Sequence, residues 1–420
     1  MFIYTNTITF FMNGGILNVY RSKGVDEMSE NPEQERFKNL ILYNLHEAEA
    51  VLTDNNDIQI FIDGKEKFKA MIKEMNHAHR YIHIQYYIIR NDELWQEIEK
   101  VLKRKVRQGV EVRILFDSIG CRSMRKSDWK RLKNAGIRVA EFRPALLDRL
   151  YPRINYRNHR KVVVIDGRIG FIGGFNVGRE YLGLDKRFGY WRDTHICIEG
   201  AAVTSLVMRF VLDWNCATGE NLFIQDHLFE IPKYIRNGRE PVQIISSGPD
   251  SKSKIIRNNY LCLIHMAKKS IYIQTPYFIP DKEMLKELKI AVKSGIDVRI
   301  MIPCKPDHPF VYWATYSYIG DMIEAGARCY TYDAGFLHAK CLCVDGLAAC
   351  IGTANMDIRS FKLNFEVNAI IYSAKTTKKL EEIFEDDIRK STLITRKRYQ
   401  KRSMKIKMKE QFGRLLSPLL

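Results

Sequence analysis

The chain has 420 residues, 67 of them Lys or Arg and 49 Asp or Glu, with 46% apolar residues. These values exclude wholesale disorder and leave room for roughly two to three globular domains that need no disulfide staples. Nine cysteines without a repeated C-x-x-C spacing exclude a secreted disulfide scaffold and a zinc ribbon, and the +18 net charge favours anionic partners.

In chain order, residues 1–56 read as an N-terminal arm. Met1–Tyr20 is uncharged, but Thr5, Asn6, Thr7, Thr9, Asn13, Gly14, Gly15 and Asn18 interrupt it, whereas a membrane span wants about 20 mostly apolar residues. The pattern predicts a poorly ordered arm, with neither a transmembrane helix nor a secretory signal. An apolar, β-branched run at Tyr81–Ile89 then precedes a helical stretch at Asp92–Arg107, a short strand at Val110–Phe116 and a further helix that stops at Ala135-Gly136. The same series returns as Ile271–Ile279, Asp281–Lys293, Ile296–Ile302 and Ala325-Gly326. Ala78–Asp92 (AHRYIHIQYYIIRND) matches Ala267–Asp281 (AKKSIYIQTPYFIPD), and Gly109–Leu115 matches Gly295–Met301, at offsets of 186 to 190. An ordered series of this kind marks a duplication. Alternating strands and helices predict an α/β fold of two α-β-α sandwich halves, at 57–224 and 243–395, joined by a polar linker at 225–242.

Residues 396–420 form a basic tail. Nine Lys/Arg and one acidic residue, Glu410, lie within 396–414 and contribute +8 of the net charge. Apolar residues at 404, 408, 412, 415, 416 and 419 fall on one helical face, the pattern of an interfacial membrane segment; a terminal helix packed on the second half is the other reading.

The duplication carries a polar constellation. His159-x-Lys161-x4-Asp166 recurs as His338-x-Lys340-x4-Asp345; Asn176 and Asn355 each follow the lysine by fifteen residues, and later strands carry Asp193 and Glu366. In an extended strand the His and Lys of each pair share a face. One such motif is commonplace, and a lone strand histidine is ordinarily a core residue. Two copies at matching places, each with its Asn, point to a site holding two imidazoles, two ammoniums and two amides. Asp166 and Asp345, each in an Asp-Gly, read mainly as turn residues.

These paired motifs resemble the phospholipase D superfamily, whose active site is assembled from two H-x-K-x4-D half-sites across a pseudo-twofold interface. Tyr156-Arg-Asn-His-Arg-Lys, Gly173-Gly-Phe-Asn, Trp191-Arg-Asp-Thr-His, Thr275-Pro-Tyr-Phe-Ile-Pro-Asp, Gly335-Phe-Leu-His-Ala-Lys and Ser417-Pro-Leu-Leu are similar to the bacterial cardiolipin synthase branch, over roughly residues 50 to 420. That branch usually begins with two transmembrane helices, which this sequence does not show. The resemblance implies that two phosphatidylglycerols give cardiolipin and glycerol through a phosphohistidine, at the cytoplasmic face of the cell membrane. Anionic phospholipid and a membrane surface would be the partners, and no cofactor or metal is required. His159 is expected as nucleophile and His338 as general acid and base, or the reverse. Lys161, Lys340, Asn176, Asn355 and Thr353 would bind phosphate oxygens, Gly174 standing at the first-half counterpart of Thr353. Asp193 and Glu366 would accept from imidazole Nδ1. His195, His265 and His308 read as structural. A hydrolase or nuclease of the superfamily would use the same residues, and a non-catalytic binder of anionic lipid or nucleic acid is the reading from another class; no nucleic-acid recognition motif favours nucleic acid.

Overall fold

A computed structural model describes residues 35–142, 155–229 and 238–417. The arm expected at Met1–Tyr20 and the last three residues of the Ser417-Pro-Leu-Leu terminus lie outside the described residues, as does 230–237 of the linker.

A first helix, α1 (Lys38–Ala48), precedes β1 (Thr53–Phe61) and α2 (Gly64–Asn76). The first half continues through β2 (Tyr81–Tyr86), α3 (Glu93–Arg107), β3 (Glu111–Asp117), α4 (Lys126–Asn134), β4 (Arg138–Phe142), β5 (Arg157–Asn158), β6 (Val162–Ile165), β7 (Ile169–Gly173), β8 (Tyr190–Arg192), β9 (His195–Gly200) and α5 (Val203–Thr218). The second half runs through β10 (Glu240–Ser247), α6 (Ile255–Met266), β11 (Ser270–Gln274), β12 (Phe278–Ile279), α7 (Lys282–Lys293), β13 (Asp297–Pro303), α8 (Pro309–Ala325), β14 (Arg328–Tyr332) and β15 (Gly335–Leu337). It closes with β16 (Cys341–Val344), β17 (Ala348–Gly352), β18 (Met356–Asp357), α9 (Ile358–Lys362), β19 (Asn364–Ile371), α10 (Ala374–Ile388) and β20 (Ser391–Leu393), before the terminal helices α11 (Arg396–Gln400) and α12 (Met404–Leu416).

The expected duplication is visible in the strand order. The first half reads β4-β3-β2-β6-β7-β9-β1 and the second β14-β13-β11-β16-β17-β19-β10, and β1 pairs with β10 to make one continuous sheet. Within each half the three outer repeat strands are parallel and the next are antiparallel. Side-chain alternation sends Ile82, Ile84, Val163 and Ile165 into a core with α2 and α3, while Val162 and Val164 meet α5 on the other face. That second layer continues across the junction to Cys341, Cys343, Ala349 and Leu380 of the second half.

The repeated aspartates at the ends of the matched segments are helix caps. Asp92 accepts from Trp95 N at 3.2 Å and Asp281 from Met284 N at 3.0 Å, each opening the crossover helix that makes the parallel pairing possible. Helix α1, within the segment read as an arm, docks on the second half: the Asn44 amide donates to Gln243 and Asn259 at 3.1 and 2.8 Å.

Candidate active site

Short strands exchanged between the halves build the site. β5, which leads into His159, runs parallel to the start of β19 in the second half. β15, which leads into His338, runs parallel to β8 in the first. The backbone N–H of His159 donates to Phe365 O at 3.0 Å, and that of His338 to Arg192 O at 2.7 Å. Each histidine therefore lies beside the residue next to the other half's carboxylate.

The carboxylates are accordingly crossed. His159 Nδ1 lies 2.9 and 3.0 Å from the two oxygens of Glu366, and His338 Nδ1 lies 2.6 Å from Asp193 Oδ2. An approach this close to a carboxylate puts the proton on Nδ1, so in each neutral ring Nε2 carries the lone pair. Lys340 Nζ, 2.8 Å from His338 Nδ1, then has the His338 carbonyl as its acceptor; Lys161 Nζ likewise donates to His159 O, at 2.6 Å.

Burial governs the electrostatics. It lowers His159 to about 4, with Lys161 adding to the shift and Glu366 opposing it, and it lowers His338 as well, helped by Lys340. Lys161 is pushed down to about 7 and Lys340 to about 8, again mainly by burial. Burial alone would raise Asp193 and Glu366, yet both end below the usual carboxylate range because Lys340 and His338 face the first and His159 and Lys161 the second.

The other expected residues divide. Asn176 accepts from Ile88 N at 3.2 Å and donates to Tyr181 Oη at 3.0 Å, and Asn355 donates to Asp357 Oδ2 at 3.2 Å; each amide keeps a second N–H. Thr353 is committed to β19, its hydroxyl donating to Val367 O and accepting from Val367 N at 3.2 and 3.0 Å. Gly174 is needed where it stands, because a Cβ there would come within 1.9 Å of Asp193 Oδ1. Asp166 and Asp345 sit at the far ends of β6 and β16, in left-handed turns with φ of 54° and 56°. Their carboxylates receive the backbone N–H groups of residues 79–81 and 268–270, which ties down the starts of β2 and β11. His195 is buried under the site, His265 is exposed on α6, and His308 precedes α8. No group of three or more His, Cys, Asp or Glu side chains among the described residues is arranged to hold a metal ion.

A supporting layer escaped the motif reading. Arg160 donates to both oxygens of Asp213 at 2.7 and 2.6 Å and to Glu366 O at 3.1 Å, and Gln85 reaches the same Asp213 at 2.6 Å. Across the halves, Arg192 of the first and Gln274 of the second both meet Asp387 at 2.8 Å. The sequence did carry a signal, since Gln85 and Gln274 occupy matched positions of the repeat. Tyr87 is also new: its ring stands edge-on to His159, 4.9 Å between centroids, with Lys161 Nζ 5.3 Å from it.

The family model for the cardiolipin synthase, phospholipase D-like domain matches residues 71–197 and 260–388. The cardiolipin synthase of Oceanobacillus iheyensis is 50% identical over 93% of this chain and 80% of its own length. The major cardiolipin synthase of Bacillus subtilis is 49% identical over 91% and 79%. Among solved structures, a phosphatidylserine synthase of Haemophilus influenzae superposes with a TM-score of 0.70 at 15% identity, over 93% of this chain and 100% of that one, which is a likeness of fold. The two matched segments are the two that supply His159 with Asp193 and His338 with Glu366, and on this agreement of sequence and architecture the chain belongs to the cardiolipin synthase family of duplicated phospholipase D-like proteins.

Proposed function

We propose that this chain is a phosphatidyltransferase that converts two phosphatidylglycerols into cardiolipin and glycerol through a histidine-bound phosphatidyl group. The observation that carries the reading is the crossed pairing of Glu366 with His159 and Asp193 with His338, which leaves two Nε2 atoms for one phosphorus.

In the first step His159 Nε2 forms a bond to phosphorus while the bond to the glycerol oxygen breaks, and His338 gives that oxygen its proton. The arriving phosphodiester anion favours the protonated form of His338, offsetting the effect of burial. In the second step neutral His338 takes the proton from a hydroxyl of another phosphatidylglycerol, whose oxygen displaces His159 Nε2 and restores the enzyme. Lys161, Lys340 and the spare N–H groups of Asn176 and Asn355 hold the nonbridging oxygens as charge develops, where losing one preorganised donor typically costs about 3–4 kcal/mol. Thr353 contributes by fixing the turn that presents Asn355. Both lipids reside in a bilayer, so the chain works at a membrane surface; among the described residues no helix is long and apolar enough to cross one.

The test is incubation with phosphatidylglycerol vesicles in EDTA, with the lipids resolved by mass spectrometry. Cardiolipin with an equal amount of released glycerol is expected. Phosphatidic acid alone would make the protein a hydrolase, and cleavage of single-stranded DNA without lipid turnover would make it a nuclease.

A further inference from the structure

The terminal helix α12 is built inside out. Its inner face, against α8, is polar and small. Buried Glu410 is gripped by Arg402 through two contacts of 2.7 and 2.8 Å, Arg414 reaches Asp321 at 2.7 Å, and Ser417 meets Tyr318 Oη at 3.1 Å. Gly413 lies so close to α8 that a Cβ would come within 2.8 Å of Ala314 N. These contacts fix which way the helix faces, and they leave its apolar stripe outward: Met404, Met408, Phe412 and Leu415 are 70%, 69%, 51% and 75% exposed. Phe310, at the first turn of α8 and 47% exposed, extends the stripe, its ring 6.2 Å from that of Phe412.

An outward stripe of this size on a helix already anchored by its polar side is a surface awaiting an apolar partner. The charge around it says which one. Lys401, Lys405 and Lys409 are exposed on or beside the same helix, and Lys409 Nζ lies 4.8 Å from the Trp313 ring centroid. Apolar residues with lysines beside them match an anionic bilayer, whose acyl region takes the stripe while its headgroups meet the lysines. A second copy of this chain, with its +18 charge and the same lysines, would be repelled by them.

The position fits as well. Thr275 Oγ1 accepts from Met356 N at 3.2 Å, beside Asn355, and donates to Tyr277 O at 2.9 Å; the Tyr277 hydroxyl in turn donates to Asp307, three residues before Phe310. One run of contacts thus links the phosphate-binding corner to the apolar stripe. We propose that the outward face of α12, with Phe310, is a docking surface for an anionic phospholipid bilayer that sets the active-site mouth against the lipid headgroups. The orientation rests on the reading of the substrate as a bilayer lipid, whereas the docking itself does not need turnover.

The full chain and the variant M404Q/M408Q/F412Q/L415Q are compared in three measurements. Flotation with phosphatidylcholine vesicles, with and without phosphatidylglycerol, reads docking at low and high salt. Hydrolysis of a water-soluble phosphodiester reads the integrity of the site, and sedimentation reads self-association. The variant is expected to lose vesicle binding by about tenfold or more while keeping soluble-diester turnover. K405E/K409E, with the stripe intact, is expected to lose the preference for anionic vesicles, at about fivefold per lysine removed. Equal flotation of stripe variant and parent overturns the proposal. So does a parent that is dimeric through this face, becoming monomeric in the variant, because the occupant is then a second copy. A parent that docks through the stripe but forms no cardiolipin leaves the docking standing and refutes the transferase reading.

Discussion

The two carboxylates that cross between the halves are not equivalent, and their amide variants distinguish them. Glu366 offers both oxygens to His159 Nδ1 at 2.9 and 3.0 Å, and its Oε1 also accepts from Asn364 Nδ2 at 3.2 Å. A glutamine at 366 can turn its remaining oxygen to serve both donors. Glu366→Gln then loses only the difference between a charge-assisted and a neutral hydrogen bond, roughly 1–1.5 kcal/mol or about tenfold in kcat/KM. Asp193 has no such freedom, since Oδ2 accepts from His338 Nδ1 at 2.6 Å while Oδ1 accepts from Thr194 N at 2.8 Å. In Asp193→Asn one of those contacts becomes donor against donor. Either the Thr194 N–H loses its partner, at about 1–3 kcal/mol, or His338 is driven to the tautomer that blocks Nε2. Added to the lost charge, the expected fall is about 10²–10³-fold.

The assay is the initial rate of cardiolipin formation on phosphatidylglycerol vesicles. It is run at about pH 6, below the value of about 7 to which Lys161 is lowered, so that the loss of Glu366's support for the ammonium weighs least on the comparison. Thermal melts of both variants exclude unfolding. Equal losses, or a larger loss for Glu366→Gln, would refute the reasoning from acceptor geometry.

Three further outcomes follow from the same site. His159→Ala and His338→Ala should each abolish net transfer while His265→Ala, on an exposed turn of α6, retains it; phosphate trapped on His338 rather than His159 would exchange their roles. The lysines are charged below their lowered values of about 7 and 8, so kcat/KM should decline as pH rises through that window, with the limb of kcat higher because bound phosphate favours ammonium; a profile still rising at about pH 9 contradicts this. Asp345→Ala should lower stability by about 2–4 kcal/mol in a denaturant titration, through three lost backbone N–H acceptors and the Arg36 ion pair, with kcat of the folded protein nearly unchanged.

The residues that the sequence exposed were those that the duplication repeats. His159 and His338, the lysines, the asparagines and the capping Asp92 and Asp281 all stand at matched positions, and the β-branched runs around them reproduce the parallel strand order. What could not be read was partnership across the halves. Asp193 lies much nearer in sequence to His159 than to His338, yet β8 pairs with β15 and delivers it to the latter. The Arg160–Asp213 pair, within the first half, and the Arg192–Asp387 pair, between the halves, were hidden because each arginine lies inside a recognised motif while its partner is on a distant helix with no pattern to mark it. For α12 the apolar stripe was legible, but its direction was not, because it depends on where Glu410 and Gly413 meet α8.

Covalent duplication also explains how the two histidines can differ. Two residues before His159 stands Arg157, and two before His338 stands Phe336, whose ring lies 6.2 Å from the imidazole. Two residues before Glu366 stands Asn364, and two before Asp193 stands Trp191, 5.1 Å from the His338 ring. One imidazole thus meets both oxygens of a carboxylate and one aromatic ring, Tyr87, whereas the other has two aromatic rings, Trp191 and Phe336, and a single short carboxylate contact. A homodimer of identical halves would have to place the same groups around both. With the halves in one chain, the proposed nucleophile His159 is backed by both oxygens of Glu366, while the protonation of His338, the proposed proton carrier, would hang on Asp193 and on the charge of the incoming lipid phosphate. In the proposed mechanism the division of labour between nucleophile and proton carrier would rest on the residues where the repeat has diverged, and substitutions that restore the symmetry, such as Phe336→Arg, should then impair proton transfer to the leaving glycerol more than bond formation at His159.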